Sequence, residues 1–298
     1  MNVDPNYLQQ LAAALSRTTA QQQTLSSQIS SGVRLTGLGD DPIAAAQNVQ
    51  FSAQISADSV FTQTAATTTA QMQVVDSTLG SVVDQINQAI SVATAGNNGT
   101  NNASDQSSVV AELTSIRDEI LGLANTSYSG KYLFSGSQNG SQPFQLDNST
   151  SPAGVVYSGD SVVNYVSTPG GQSIATNLPG QQVFTAAGGD LLGTLNALIQ
   201  GFSTGDTATT SALTSQLSTA LSQVSTQRAS FDGSINRLQS ASSYASQEQT
   251  QLVADQTNLL QADLPTVATN LSSSETQQSA LESVIVAIEQ QGTLFDHM

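Results

Sequence analysis

The chain has 298 residues, of which only 9% are charged, and 6 Lys and Arg face 22 Asp and Glu for a formal net charge of −16. Ser, Thr, Asn and Gln make up roughly 43% of it, well above the usual soluble composition. So acidic a surface excludes nucleic-acid binding, which needs clustered Lys and Arg. The sequence has no Cys and a single His, His297, which excludes disulfides, thiol catalysis, a Ser-His-Asp triad and a two-His zinc site.

We expect neither a membrane span nor a general secretion signal. The apolar runs stay well below the roughly 18 residues that a membrane-spanning helix needs. Residues 1–5 lack the basic and apolar regions of a Sec signal peptide. With 38% hydrophobic residues, the chain can bury only a thin core, which favours long helices with narrow apolar seams over a compact globule.

The first predicted helix covers residues 4–31 and carries a coiled-coil seam with alternating spacings of 3 and 4 residues. The seam consists of Leu8, Leu11, Leu15, Thr18, Gln22, Leu25 and Ile29. Three glycines in residues 32–41 predict a linker. Asp41 and Pro42 are a typical N-cap and first residue of the next helix.

In the middle of the chain, the sequence pattern changes from one typical of helices to one typical of strands and then back to helices. Apolar spacing predicts helices over residues 43–95, 104–127, 190–199, 207–260 and 266–291, with a possible break at 231–233. Residues 128–187 contain four prolines and many turn residues. Short alternating runs there predict strands at 131–134, 154–157, 161–166 and 181–185.

The last helix carries a matching seam, which predicts that the two chain ends pair. This second seam consists of Leu260, Leu264, Val267, Leu271, Ser274, Gln278, Leu281, Ile285 and Ile288. One antiparallel register sets Leu25 by Leu271 and Leu15 by Leu281. It also places the polar residues Thr18 and Gln22 opposite Gln278 and Ser274, where we expect them to share hydrogen bonds. The same register sets Leu8 by Ile288, Leu11 by Ile285 and Ile29 by Val267.

Further apolar residues lie off this seam, and two interpretations stay open for them. They form a second apolar surface that meets neighbouring subunits, or the two ends belong to an ordinary bundle packed inside one chain. The off-seam residues are Ala12, Ala13, Ala14, Val284, Val286 and Ala287.

Three segments resemble the flagellin superfamily. LSSQISSGVRLTGLGDDPIAAA (residues 25–46) is similar to the family's N-terminal signature, a helix end, a short linker and an Asp-Asp start to the next helix. RASFDGSINRLQSA (228–241) and QADLPTVATNLSSSETQQSALES (261–283) resemble its C-terminal segments. Pro42 and GKYLFSGSQNGSQPF (130–144) resemble the hook–filament junction branch more than the flagellins.

The resemblance implies a mainly α fold with a β-rich insert. It implies a terminal coiled-coil domain (1–40 and 262–298), a helical rod domain with a β-hairpin (41–142 and 188–261) and a central β-rich outer domain (143–187). It also implies a structural, non-enzymatic subunit without cofactors, exported through the flagellar type III apparatus. The implied partners are hook-associated protein 1, flagellin, further copies of the chain and an export chaperone.

The predicted interface residues are the apolar residues of the two seams, and the predicted linker contacts are Arg34, Asp40 and Asp41. Arg34 is interpreted as an ion-pair partner of Asp40 or Asp41, in its own chain or a neighbour, or as a charge that stabilises the helix end. For Arg228 and Arg237 two interpretations stay open: they pair with acids on an opposing helix, such as Asp76 or Asp84, or they lie on the solvated surface. The alternatives are a flagellin-type filament subunit and, remotely, a secreted enzyme on this scaffold, for which the sequence offers no catalytic constellation.

Overall fold

The computed structural model describes residues 5–35, 37, 39–98 and 103–295, without the side chains of residues 5, 6, 8, 103, 207 and 289–295. In this part of the chain no helix is both long and apolar enough to span a membrane. Each helix lies close to a predicted one. The helices are Pro5–Ser31 (α1), Pro42–Gly96 (α2), Ala103–Ala124 (α3), Leu191–Thr204 (α4), Thr207–Leu260 (α5) and Leu264–Phe295 (α6).

The described strands form three antiparallel pairs between α3 and α4. They are Ser127–Tyr128 with Lys131–Tyr132 (β1, β2), Phe144–Asp147 with Gly154–Tyr157 (β3, β4), and Tyr165–Ser167 with Ser173–Ala175 (β5, β6). The strand prediction at 181–185 is wrong, since Gly180–Gln182 is a 3-10 turn. Val183 and Phe184 are both completely buried, so neighbouring side chains do not alternate between core and solvent as a half-buried strand requires.

The chain forms two compact units, which α2 and α5 both enter. The terminal unit is Met1–Ala57 with Glu248–Met298, and the central unit is Asp58–Gln247. The division into three domains stays a prediction from the sequence.

The central unit has a continuous apolar core between its helices and its strands. At one end, the rings of Phe134, Phe144 and Phe184 are completely buried and meet edge to face, with centroids 5.1 and 5.2 Å from Phe184. Gly180 is needed there, because a Cβ on it would lie 2.6 Å from the Phe144 ring. The core therefore fixes the strand pairs against the helices by side-chain packing.

The predicted break at residues 231–233 is wrong, because α5 is continuous from Thr207 to Leu260. Phe231 and Ile235 are both buried in the core, and this packing holds the helix across Gly233. Glycine lowers helix propensity by only about 1 kcal/mol, which tertiary contacts of two large side chains readily exceed.

Candidate assembly surface at the paired chain ends

In the terminal unit, α1 and α6 are joined by a short antiparallel backbone contact. Val33 pairs with Gln261 as an isolated bridge. The Arg34 amide donates to the Leu260 carbonyl at 2.7 Å, and the Ala262 amide donates to the Gly32 carbonyl at 2.9 Å. Gly32 has a φ of 70°, which ends α1 in the left-handed conformation that glycine adopts without strain.

The seam residues lie between the two helices and differ in their burial. Leu25 packs with Ala262, Val267 and Leu271, in agreement with the predicted register. Ile29 stays 38% exposed and Leu264 45% exposed. The side chain of Leu8 lies outside the described residues. Leu11 is buried like Leu25 and Val267, and the half-buried members are Leu15, Leu271, Leu281, Ile285 and Ile288.

The polar positions of the seam do not share hydrogen bonds, and that part of the prediction is wrong. Thr18 Oγ1 donates to the Ala14 carbonyl, and Gln278 Nε2 donates to Glu282, so each bonds within its own helix. Gln22 Nε2 and Ser274 Oγ are buried without a hydrogen-bond partner, and Ser274 is only 3% exposed. Each such group costs about 1–3 kcal/mol of desolvation.

The linker is fixed by the two aspartates and Arg34. The Asp41 carboxylate accepts from the Ala44 amide at 3.0 Å and from Arg34 Nη1 at 3.1 Å, so it caps α2 and forms an ion pair inside the chain. Asp40 accepts from the Gly37 amide at 2.9 Å. Arg34 also reaches the Leu259 carbonyl at 3.5 Å. Of the two interpretations for Arg34, the structure supports the ion pair with its own Asp41.

The electrostatics of the linker favour the charged form of Asp41. The hydrogen bond from the Ala44 amide, followed by the one from Arg34, lowers the pKa of Asp41 below its ordinary value. The side chains of Arg34 and Asp41 are 44% and 32% exposed. A pair this accessible to water contributes little stability, so its effect is to orient the linker.

The paired helices leave a second apolar surface in contact with water. Tyr7, Val284 and Val286 are each at least 40% exposed. Among the smaller residues, Ala12, Ala13 and Ala287 are exposed and Ala14 is half-buried. Two helices alone cannot cover both faces of each other, so this surface is available to additional helices.

Among the described residues, the site holds no group of three or more His, Asp or Glu that could bind a metal. The arrangement consists of an apolar seam, buried polar side chains and a capped linker. Its chemistry is therefore that of helix association. The single histidine, His297, lies outside the described residues.

The other predicted charge pairs have mixed outcomes. Arg228 Nε donates to Asp76 at 2.6 Å, which confirms that prediction. Arg237 instead is exposed and donates to the Gly233 carbonyl and to Ser234, which favours the solvated-surface interpretation for this residue. Leu133 and Phe134, in a segment predicted as a strand, are buried in the core of the central unit.

The sequence reasoning missed two groups that position the chain ends. Gln28 Nε2 donates to the Arg34 carbonyl at 2.8 Å and holds the linker against α1. Asp263 begins α6, where its carboxylate accepts from Thr266 at 2.7 Å and its carbonyl accepts from the Val267 amide at 2.9 Å. An Asp three residues before a Thr and two before Pro265 is a readable helix-start signal.

The chain matches known proteins in the part of the sequence that builds this site. Residues 6–139 match the family described as the bacterial flagellin N-terminal helical region. This range contains α1, the linker, α2 and α3. Over these residues the chain is similar to that family.

Two relatives that the chain resembles are hook-associated proteins. It is 31% identical over 137 residues to flagellar hook-associated protein 3 of Salmonella typhimurium, covering 46% of this chain and 43% of that protein. It is 29% identical over 192 residues to flagellar hook-associated protein 3 of Escherichia coli, covering 57% and 60%. The matched regions thus span about half the length of these curated relatives.

The fold is shared with a solved structure, the flagellar junction protein of Legionella pneumophila. The TM-score is 0.60 at 15% identity, and the match covers 72% of this chain and 99% of that one. By their names, these relatives are components of the bacterial flagellum.

Proposed function

We propose that the chain is a structural adaptor of the bacterial flagellum that joins the hook side to the filament. In this role it binds hook-associated protein 1 on one side, flagellin on the other and copies of itself around the junction. The observation that carries the proposal is the antiparallel α1–α6 pair, with its buried seam and its exposed second apolar surface. Such a half-covered pair is a unit that packs into a larger helical wall.

Two further properties support assembly outside the cell after export. A subunit that passes through a narrow channel must unfold, and this chain has no disulfide to hold it folded. Its terminal helices bury little surface and enclose polar groups without partners. We infer that an export chaperone binds these apolar terminal helices before export and that neighbouring subunits cover them afterwards.

The predicted interface residues keep this role in the proposal. The apolar seam residues hold the pair together, from Leu8 and Leu11 on α1 to Ile285 and Ile288 on α6. Arg34, Asp40 and Asp41 set the direction in which the chain leaves the pair. The proposal includes no catalytic step and no cofactor.

Position on the flagellum tests the proposal against the alternative of a filament subunit. Immunogold labelling of isolated hook–filament complexes is expected to give one band at the junction. Label along the whole filament would instead identify a bulk subunit of the flagellin type.

A deletion strain gives an independent test. Without this chain, hooks should stay intact while flagellin is released into the medium, and a plasmid copy of the wild-type chain should restore filaments. Normal filaments on the deletion strain would contradict the adaptor role.

A further inference from the structure

A groove of about 530 Å³ lies in the central unit, between the turn of the β5–β6 hairpin and one face of α5. The hairpin contributes Thr168 and Pro169, and the helix contributes Arg237, Ala241 and Tyr244. The three helix residues are spaced by 4 and 3 positions, so they lie along one face of α5. The groove is lined by residues of the central unit alone and has no role in the junction as described above.

Both walls of the groove are anchored in the core. Thr168 closes the hairpin turn, because its amide donates to the Gln172 carbonyl at 2.8 Å and its Oγ1 accepts from the Gln172 amide at 3.1 Å. Ile174 of β6 is buried. On the inner face of α5, Leu238 and Ala245 are completely buried. The groove is therefore a preformed surface.

Arg237 supplies a positive charge that no acidic residue neutralises. Its guanidinium donates to the Gly233 carbonyl at 3.3 Å and to Ser234 Oγ at 3.0 Å. Within the described residues no carboxylate lies within ion-pair distance of it. By contrast, Arg34, Arg117 and Arg228 each pair with an aspartate.

The groove also offers an aromatic surface beside that charge. Tyr244 is 67% exposed and lies two helical turns from Arg237 on the same face of α5. A guanidinium next to an exposed tyrosine ring suits a segment that carries a carboxylate and an apolar group. Arg and Tyr are also the residue types that contribute most to protein interfaces.

We propose that this groove docks an acidic segment of a second copy of this chain. The charge balance favours that occupant, because 22 acidic residues against 6 basic ones give a neighbouring copy many carboxylates and few cations. Arg237 attracts carboxylates of a neighbouring copy to this groove. Contacts between two acidic surfaces are disfavoured, because they bring like charges together. The inference rests on the proposed function, in which several copies lie side by side.

Photo-crosslinking in assembled flagella tests the docking. Tyr244 is replaced by p-benzoylphenylalanine in the full chain, hook–filament complexes are isolated and irradiated, and the adducts are mapped by mass spectrometry. The expected adduct has twice the mass of the chain and joins position 244 to an Asp- or Glu-containing peptide of the same protein. An adduct with hook-associated protein 1 or flagellin alone, or no adduct, overturns the proposal.

Charge variants test whether the docking depends on Arg237 in the groove or only on the net charge of the chain. In the crosslinking background, Arg237→Glu is expected to lower the adduct yield at least fivefold, and Arg237→Gln to lower it less. Lys131→Glu is the matched control, since Lys131 is exposed and without an ion pair in the described residues but lies outside the groove. Equal losses in Arg237→Glu and Lys131→Glu would overturn the specific role of Arg237.

The amount of this protein in the isolated hook–filament complexes shows whether a negative result contradicts the docking proposal alone or also the proposed function. If immunoblots find the wild-type chain in the complexes but no self-adduct forms, only the docking proposal fails. If the wild-type chain is missing from the complexes, the proposed function fails and the docking proposal fails with it.

Discussion

The central unit and the paired chain ends use the same helical periodicity with different results. In the central unit, Met72, Leu79 and Ile86 on α2 are completely buried, because α2 packs among other helices and strands. In the terminal unit, Leu25 and Val267 form a small cluster with only two further residues. A narrow apolar seam is thus sufficient for burial only when other elements cover the rest of the helix.

Both regions bury polar groups, and only some of these groups have hydrogen-bond partners. In the central unit, Asn196 is buried but donates to the Ala153 carbonyl at 2.7 Å and accepts from Arg117 at 3.1 Å. Gln85 Oε1 in the same unit is buried without a partner, as is Ser274 Oγ in the terminal unit. The two units therefore differ in the size of their apolar cores, and not in whether every buried polar group is paired.

The largest expected difference between the regions is in amide hydrogen exchange of the free monomer. We expect strong protection at Leu79 and Leu113 in the central core, and almost none at Leu15 and Ile285, because an isolated helical pair with a thin seam is marginal in water. Exchange monitored by mass spectrometry or NMR measures this. Strong protection of Leu15 and Ile285 in the monomer would refute the idea that assembly folds the chain ends.

Core truncation is expected to have unequal effects in the two units. Phe184→Ala removes a completely buried ring and should lower the free energy of unfolding by about 3–5 kcal/mol, as measured by urea denaturation of the monomer. Leu25→Ala is the comparison in the terminal unit, and we expect it to leave that unfolding transition almost unchanged while it reduces assembly. Similar losses of stability in both variants would show that the chain ends are already folded with the core.

Removal of the two polar groups in the seam should stabilise the terminal pair. In the double variant Gln22→Leu and Ser274→Ala, no polar atom at these positions is buried without a partner. The opening of α1 and α6, measured by hydrogen exchange, should become less favourable by about 1–3 kcal/mol for each of the two groups. Gln21→Leu with Ser273→Ala is the matched control on exposed positions, and an equal gain there would assign the effect to hydrophobicity alone.

The smallest expected effect concerns the acidic pair beside Arg228 in the central unit. Burial and the nearby Asp76 carboxylate raise the pKa of Asp232, so ionised Asp232 disfavours folding at neutral pH. Asp232→Asn should therefore raise Tm at pH 7, on the order of 1–2 °C. The gain should vanish below about pH 4, where Asp232 is protonated in the folded and unfolded states.

Asp76→Asn is expected to change Tm in the direction opposite to Asp232→Asn, although the two carboxylates interact with each other. The hydrogen bond from Arg228 lowers the pKa of Asp76, so its charged form stabilises the fold above its unfolded pKa. The variant should lower Tm at pH 7, and the difference should shrink as the pH falls through the lowered pKa. A change of the same sign in both variants would contradict this electrostatic account.

Much of the fold could be predicted because its signals are local. The alternating spacing around Leu11 and Leu25 predicts α1, and Asp41 with Pro42 predicts the start of α2 close to where it occurs. The strand predictions were weaker. β1, β3 and β6 lie outside the predicted strands. The pattern at 181–185 predicts a strand where the chain makes a turn at Gly180, because packing against Phe144 decides the conformation of that segment.

The site was only partly predictable for the same reason. Two matched seams suffice to indicate that α1 and α6 pair and in which register. They do not indicate that Gln22 and Ser274 fail to bond each other, since this depends on side-chain conformations within the pair. Likewise, Arg237 looked like a partner for an acid on another helix, whereas in the fold it lines a groove beside a hairpin turn.

The sequence by itself determined the acidic, thin-cored character of this protein, its long helices and the pairing of its two ends. These follow from composition and from a repeat that each helix carries along its own length. Only the tertiary structure decided which apolar residues stay exposed, which ion pairs form and where the hairpin lies against α5. Those outcomes depend on contacts between residues far apart in the chain, whose geometry no local pattern contains.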